Sequence, residues 1–442
     1  MVMVNLIQTN IGMNLLVYIN QLKKRGSFLI NLKYSLKKIM KQLHFLLLFH
    51  LVFFIGCSGE KKNSLQQNGT SKNDIETAIP IIDLEKAIGN LSKEKFNFSN
   101  FVSDITYTPL ETNEQSIFGG KFAPVNNITE NFLFFDGLMF NRDGSFVRKI
   151  GRIGQGPQEY IQALGIAVDE KRQEFYIHGN FTHDIIIYDF NSVFKKRLKV
   201  DYNGHNIYSL GDGKILLTRT SGAFFDNFYE YQLIDIDNEE VIYTRDIGVI
   251  KDGYEEKGCE FGIDNNIIWG FGNSLSYYEF FSDTIFSVEN GIVTVPRYQL
   301  NMGKYKYSAD VMHNTERTEY RPESFMRIGV IRESSQYLFI TFSYNKISYV
   351  TSYNKSTGEL LINKFDNFFN NDIDGGFIWL FDNINGETTG IGRFLPNIGK
   401  ERIENLSETN KNYNKDKNNN LRKLIVDIEE DDNDVVYFFN LK

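Results

Sequence analysis

The sequence predicts an all-β fold, a six-bladed β-propeller, on three observations. Short apolar or alternating runs that end in Asn, Asp or Gly dominate from Phe101 to Leu380. Aromatic residues, which strands favour, are plentiful at 38 Phe and 24 Tyr. The runs group in fours, and the groups recur every ~40–60 residues, the spacing of blades that bury their faces only against neighbours.

In chain order, Phe101 to Leu110 is a strand that belongs beside the last blade, where it closes the ring and removes an open sheet edge. Asn131 to Asp136 and Leu138 to Phe140 come next. Asp143-Gly144 then turns the chain into Ser145 to Ile150, because Asp-Gly supplies the φ > 0 position a tight hairpin needs. The second group is Ile166–Asp169, Glu174–His178, Asp184–Asp189 and Phe194–Leu198. Ile207–Leu210, Lys214–Thr218, Tyr229–Asp235 and Val241–Tyr243 repeat that order. A further set runs through Phe261 with Ile263, Ile267–Trp269, Leu275–Tyr278, Asp283–Val288 and Gly291–Val295. Met326–Val330, Tyr337–Phe342, Ile347–Val350 and Glu359–Ile362 form another. Five or six blades fit this length, and six fits better. A β-sandwich or two stacked barrels would also use many strands, but neither explains one turn-linked outer hairpin per unit. Leu84 to Ile88 reads as a short helix, and Lys400 to Leu424 as a polar helical insertion. The acidic run Glu429 to Asp434 leads into an apolar end that reads as a last strand or a segment packed on the ring. The propeller is thus expected over residues 80–442.

The first 79 residues read differently. Lys37, Lys38 and Lys41 precede a mostly apolar run from Leu43 to Ile55, and Gly56-Cys57 is followed at once by polar Ser58-Gly59-Glu60. Basic, apolar and small-residue segments in that order make a secretory signal. Cys57 at the cut makes it resemble a bacterial lipoprotein signal, with Cys57 as the acylated first residue; Phe54 stands where that motif usually has Leu. Met40 is then a natural start, residues 1–39 an over-extended N-terminus, and residues 1–56 are absent from the mature protein. Residues 57–79, rich in Lys, Asn, Gln, Ser and Gly, form a flexible tether. A retained transmembrane anchor is the rival reading, but the run falls short of the ~20 apolar residues a span needs. Each buried CH2 of a lipid chain contributes ~0.8 kcal/mol, so acylated Cys57 would anchor the chain durably. The expected address is extracytoplasmic, lipid-anchored to a bacterial membrane, with the outer membrane favoured.

Charge narrows the partners. The segment before Cys57 holds 7 Lys/Arg and no Asp/Glu, leaving 41 basic and 56 acidic residues, a net charge of −15. That balance argues against nucleic acid as a partner. With Cys57 acylated, only Cys259 remains, so no intrachain disulfide can form.

The segment Phe146 to Tyr160 carries Gly151, Gly154, Gly156, Pro157, Glu159 and Tyr160 in a Gly-x-x-Gly-x-Gly-Pro-x-Glu-Tyr string. It resembles the hallmark of the six-bladed β-propeller lipoproteins of Bacteroidetes, which are distantly similar to NHL-repeat propellers. Ser282 to Val288, followed by Pro296-Arg297-Tyr298 and Met302-Gly303-Lys304, resembles a second strand and loop of that group, with Phe286 in place of its usual Tyr. The resemblance implies a fold and an extracytoplasmic lipoprotein; it carries over no catalytic residue. Physically, the three glycines allow tight bends and Pro157 fixes the next φ. Glu159 can accept backbone N–H bonds and Tyr160 can wedge between blades. Phosphate cradling lacks its helix and its Lys-Ser/Thr partner.

Candidates for chemistry are few. His178, His183 and Asp184 could meet in one loop, but zinc wants three or four ligands and no convincing further partner exists. Glu159, Tyr160, His178, His183 and Asp184 are therefore candidate ligand-binding residues only; no catalytic residue, metal site or cofactor is expected. Asp169, Asp184, Asp189, Asp235, Asp237 and Asp283 sit beside strands or turns, where side-chain capping explains them. Paired channel-mouth carboxylates could instead cleave glycosides, at separations sequence does not reveal. Tyr229, Tyr231, Trp269, Tyr277, Tyr278 and Trp379 suggest sugar stacking, although strand packing accounts for most of them. The leading expectation is a noncatalytic propeller that binds a glycan, peptide or envelope protein. The alternative is an extracellular glycan hydrolase or lyase.

Overall fold

A computed structural model describes residues 79–442 except 118–126, 136, 180–182, 201–203, 220–228, 247–267, 272–273, 280–282, 307–323, 377–382, 386–387 and 402–418. The signal, Cys57, the tether, Cys259, Phe261, Ile263 and Trp379 lie outside the described residues.

The described chain begins with strand β1 (Ile81–Asp83), helix α1 (Leu84–Ile88), β2 (Phe96–Asn97) and β3 (Val102–Pro109). Blade 1 is β4 (Asn127–Ile128), β5 (Phe132–Phe135), β6 (Leu138–Asn141) and β7 (Phe146–Lys149). Blade 2 is β8 (Ala163–Asp169), β9 (Glu174–Gly179), β10 (Asp184–Asp189) and β11 (Phe194–Lys199). Blade 3 is β12 (Gly204–Gly211), β13 (Lys214–Arg219), β14 (Tyr229–Asp235) and β15 (Glu240–Asp246). Blade 4 is β16 (Ile268–Phe271), β17 (Ser274–Glu279), β18 (Thr284–Glu289) and β19 (Ile292–Asn301). Blade 5 is β20 (Arg327–Glu333), β21 (Tyr337–Tyr344), β22 (Ile347–Asn354) and β23 (Leu360–Lys364). After β24 (Phe369–Asn370), blade 6 is β25 (Asn383–Asn385), β26 (Thr389–Phe394) and β27 (Val435–Leu441), with helix α2 (Asn419–Asp427) before β27.

Among the described residues these make six antiparallel sheets of four consecutive strands, the sixth completed by β3. First strands β8 and β12, β16 and β20, and β20 and β25 meet across blade boundaries, so the first strand of each blade is the innermost. Middle strands are covered on both sides by neighbouring blades. All six residues of β9 are buried, as are the first five of β10, which explains their unbroken apolar reading. Outer strand β11 instead carries consecutive basic residues, Lys195 to Arg197, at exposed or half-buried positions and buries only Leu198.

Ring closure follows the sequence expectation. Strand β3 pairs antiparallel with β27, placing Tyr107 opposite Tyr437 and Pro109 opposite Val435. The Asp143-Gly144 hairpin abuts this closing strand. Gly144 has φ +87°, and a Cβ there would lie 2.1 Å from the Pro109 carbonyl oxygen, so both backbone shape and space demand glycine.

The segment ahead of β3 had read only as one short helix. It is a strap along the outer edges of three blades. Strand β1 adds in parallel to β19, Asp83 caps α1 by accepting from Lys86 N (2.9 Å), and Ser92 N donates to Ile362 O on β23 (3.1 Å). Strand β2 pairs with β24, and Phe98 and Phe101 enter the aromatic core of blade 6. The polar insertion expected over 400–424 yields a helix at its far end. Leu421 and Ile425 on α2, with Ile428 just beyond it, bury against that same core, which holds the helix where propensity alone would not.

Candidate functional site

The Gly-rich string connects β7 of blade 1 to β8 of blade 2. Gly154 N donates to Tyr160 O (2.9 Å) and Tyr160 N to Arg152 O (3.0 Å), folding the loop on itself. Gly156 N donates to the Glu159 carboxylate (2.9 Å). A Cβ at Gly154 would meet that carboxylate at 2.0 Å, and one at Gly151 the Tyr188 ring at 2.6 Å. Tyr160 is buried among Met139, Ile150 and Tyr188, from both blades, and its hydroxyl donates to Ile150 O (2.8 Å).

Asp184 is fully buried at the start of β10 and pairs with Arg197 and, at 3.5 Å, with Lys199. Arg197 also donates to Glu159 O, so one guanidinium joins the loop to Asp184. His178 is buried too, its Nδ1 3.1 Å from the Asp184 carbonyl oxygen; a carbonyl only accepts, so Nδ1 carries the proton. His183 is exposed, with φ +49°. The structure thus gathers Glu159, Tyr160, His178 and Asp184 at one seam and leaves His183 facing solvent. Among the described residues no group of three or more His, Cys, Asp or Glu could hold a metal ion.

His183 fills a recurring structural position. The carbonyls of Gly137, His183 and Asp283, each with positive φ just before or at the start of a third strand, accept from Ile150 N (2.7 Å), Val200 N (3.0 Å) and Leu300 N (2.8 Å). Each bond ties the second turn of a blade to the end of its fourth strand. Because Gly, His and Asp share no side-chain chemistry, this repeat has no sequence signature.

Seven carboxylates are buried among the described residues, and every one is engaged. Asp169 accepts from Arg172 N (3.1 Å), Gly213 N (3.4 Å) and Tyr176 Oη (3.4 Å). Glu174 pairs with Arg172 (2.8 Å) and Lys195, and Arg172 clasps Asp237 of blade 3 through two 2.8 Å bonds. Burial, the largest single effect, raises the Glu174 carboxyl, but Arg172, Lys195 and the Tyr176 hydroxyl together hold it below its ordinary range. Glu333 binds Arg297 and Lys355 (2.5 and 2.7 Å). Asp374 accepts from Tyr107 Oη (2.5 Å), and Asp434 pairs with Arg393 (2.9 Å). With Asp184 and Asp283, these acids stitch neighbouring segments together. Arg197, Arg297 and Lys355 were not legible as site residues, since each meets its acid only through the fold.

Asp283 pairs with Lys306 (2.5 Å) and Tyr278 Oη (3.4 Å), yet burial outweighs both and pushes its carboxyl up from 3.8 to about 6. A raised folded-state pKa means Asp283 stabilises most below pH ~4, a contribution lost as pH rises through ~6. The wild type minus Asp283→Asn difference in unfolding midpoint should therefore fall between pH 4 and 7. A flat difference would refute the assignment.

Of the suggested stacking aromatics, Tyr231, Trp269, Tyr277 and Tyr278 are buried in blade packing.

Six four-stranded blades with an N-terminal strand closing the last define a six-bladed β-propeller. The chain belongs to the family described as domain of unknown function DUF4934, which it matches over residues 79–440. Among solved structures, a Bacteroides fragilis NCTC 9343 protein described as exported is similar with a TM-score of 0.62 at 17% identity, over 82% of this chain and 99% of that one. A DUF4221 family member from Bacteroides vulgatus ATCC 8482 is similar at 12% identity with a TM-score of 0.43, over 77% and 97% of the two chains. The first likeness is one of fold. No protein of curated function matches the sequence.

Proposed function

We propose that this is a lipid-anchored, extracytoplasmic propeller that binds a glycan, peptide or envelope protein without turning it over. One observation carries the noncatalytic part. The seven buried carboxylates, the groups best placed for acid or base work, are all committed to partners within the fold. A carboxylate already bonded within the fold must give up those bonds before it can reach a substrate proton. Address rests on Cys57 and the apolar run before it, supported by the description of the Bacteroides fragilis relative as exported. No helix among the described residues is long and apolar enough to cross a membrane. In this reading Gly151, Gly154, Gly156 and Pro157 shape an interblade connector. Its exposed side, with Arg152, Ile153 and Gln155, is then what Glu159 and Tyr160 hold in place.

The test pairs a binding screen against saccharides, peptides and envelope proteins with product analysis on the same saccharides. Saturable binding without products is the expected result; turnover abolished by one carboxylate substitution would establish the hydrolase or lyase alternative. Incorporation of labelled fatty acid should vanish in Cys57→Ala, and persistence of the label would remove Cys57 as the anchor.

A further inference from the structure

The route to the closing strand is longer than ring closure requires. Strand β3 completes blade 6, and the chain need only enter it at Val102, where Lys442 N donates to Phe101 O (2.8 Å). Instead the chain starts on blade 4, passes blade 5 and pairs with β24 before it reaches β3.

Each stage of that route holds its own stretch. On blade 4, Gln299 N donates to Pro80 O (3.0 Å), β1 lies opposite Gln299, Leu300 and Asn301, and Ile82 and Leu84 have no exposed surface. Asp83 accepts from Lys86 N (2.9 Å) and Asn301 Nδ2 (3.1 Å), and the Glu85 carboxylate accepts from Lys304 N (3.2 Å). The bend at Gly303 fits closely around that carboxylate, which a Cβ would approach to 1.8 Å. On blade 5, Ser92 N donates to Ile362 O (3.1 Å) and Asn363 Nδ2 to Glu94 O (3.1 Å), while Ile88 and Leu91 pack on the core that blades 4 and 5 share. Further on, Phe96 N donates to Phe368 O (2.7 Å) and Ser99 N to the Asp372 carboxylate (2.9 Å), and Phe98 is buried in the aromatic core of blade 6.

These holds are in series. A pull entering at Pro80 meets β1 first, then α1, then β2, and it loads Val102 only after all three have let go. Segments with their own buried contacts can open as cooperative units separate from the rest of the fold. A plain connector would run over the surface and would need neither the buried Ile82 and Leu84 nor bonds at every stage.

We propose that the strap is a strain relief: it takes up tension applied at the N-terminal side and keeps that tension off β3, so that the wheel stays closed while the chain is pulled. This rests on the reading of residues 57–79 as a tether to acylated Cys57, which is the source of the pull.

The full chain, left unacylated, is stretched between two handles. One sits on the Cys57 thiol and the other on Val193→Cys in blade 2, where the side chain is exposed; Cys259→Ser leaves no third thiol. Tension should produce two steps. The first releases the strap, adds up to ~75 Å of chain and re-forms on relaxation; the second, at higher force, opens the ring. Ile82→Ser should speed the first step at least tenfold at fixed force and leave the second unchanged. If that variant fails to fold, Asp83→Ala, which removes the helix cap, should speed the first step alone by ~5-fold. Strap and ring coming apart in a single step would overturn the proposal, as would a variant that speeds both steps alike. Two steps in a chain whose Cys57 incorporates no fatty acid would remove the anchor as the source of tension while upholding the order of release.

Discussion

Glu333→Ala is expected to destabilise the ring by ~3–5 kcal/mol, read as a fall in the guanidinium unfolding midpoint. Glu333 ends the innermost strand of blade 5 with no exposed surface. Arg297 reaches it from blade 4 through bonds of 2.5 and 2.9 Å, Lys355 approaches to 2.7 Å, and Ser276 and Trp269 donate at 3.3 and 3.4 Å. Both cations also lie over the Phe271 ring, at 4.9 and 4.0 Å. Without the carboxylate, two positive charges face each other in a poorly solvated seam. The ring quadrupole recovers only ~1–2 kcal/mol of that. The sharper test is the combination with Arg297→Met and Lys355→Met. Removing the cations along with the acid should restore much of the lost stability, since an apolar replacement also ends their desolvation. A triple variant no more stable than Glu333→Ala would show that the single substitution acts by leaving a hole.

How far the sequence could be read depended on whether a feature was local. The Asp143-Gly144 hairpin, the strand groups and the closing strand at 102–109 all showed in runs of a few residues, because period and turn chemistry are local properties. Turn capping was also legible in part. Asp189 accepts from Asn191 N and Val193 N, and Asp235 from Asp237 N and Asn238 N, as Asx turns do. Asp184 and Asp283 look the same in sequence but are buried ion-pair members, a difference set by Arg197 and Lys306. The strap escaped notice for a related reason. Strand β1 is three residues long and finds its partner, Gln299 to Asn301, more than 200 residues away. Such a strand has no period to detect, and only the finished edge of blade 4 gives it a structure.

Gly390→Ala should produce the second large effect, and its cause lies in closure itself. Strand β26 sets Gly390 opposite Phe439 and Gly392 opposite Tyr437, so two aromatic rings of β27 lie across two glycines. A Cβ at Gly390 would fall 1.9 Å from the Phe439 ring, and one at Gly392 2.2 Å from that of Tyr437. Neither ring has room to retreat. Phe439 packs edge-on to Phe98 of the strap (5.5 Å) and stacks near Tyr437 (6.2 Å), while Tyr437 stacks on Phe394 (6.2 Å). Overpacking of this kind costs ~1–3 kcal/mol per site, and the two sites share neighbours, so their combined effect will not be additive. The displaced rings support β3, which closes the wheel, so near-UV dichroism from the tyrosines should weaken together with the unfolding midpoint. Gly270 in β16 is the internal control: it is exposed, and nothing lies within 4 Å of an added Cβ. Gly270→Ala should therefore leave stability unchanged or raise it by ~0.4–1 kcal/mol through the unfolded chain. Should Gly390→Ala and Gly270→Ala unfold at the same denaturant concentration, the aromatic seam between β26 and β27 would not be what holds the ring shut.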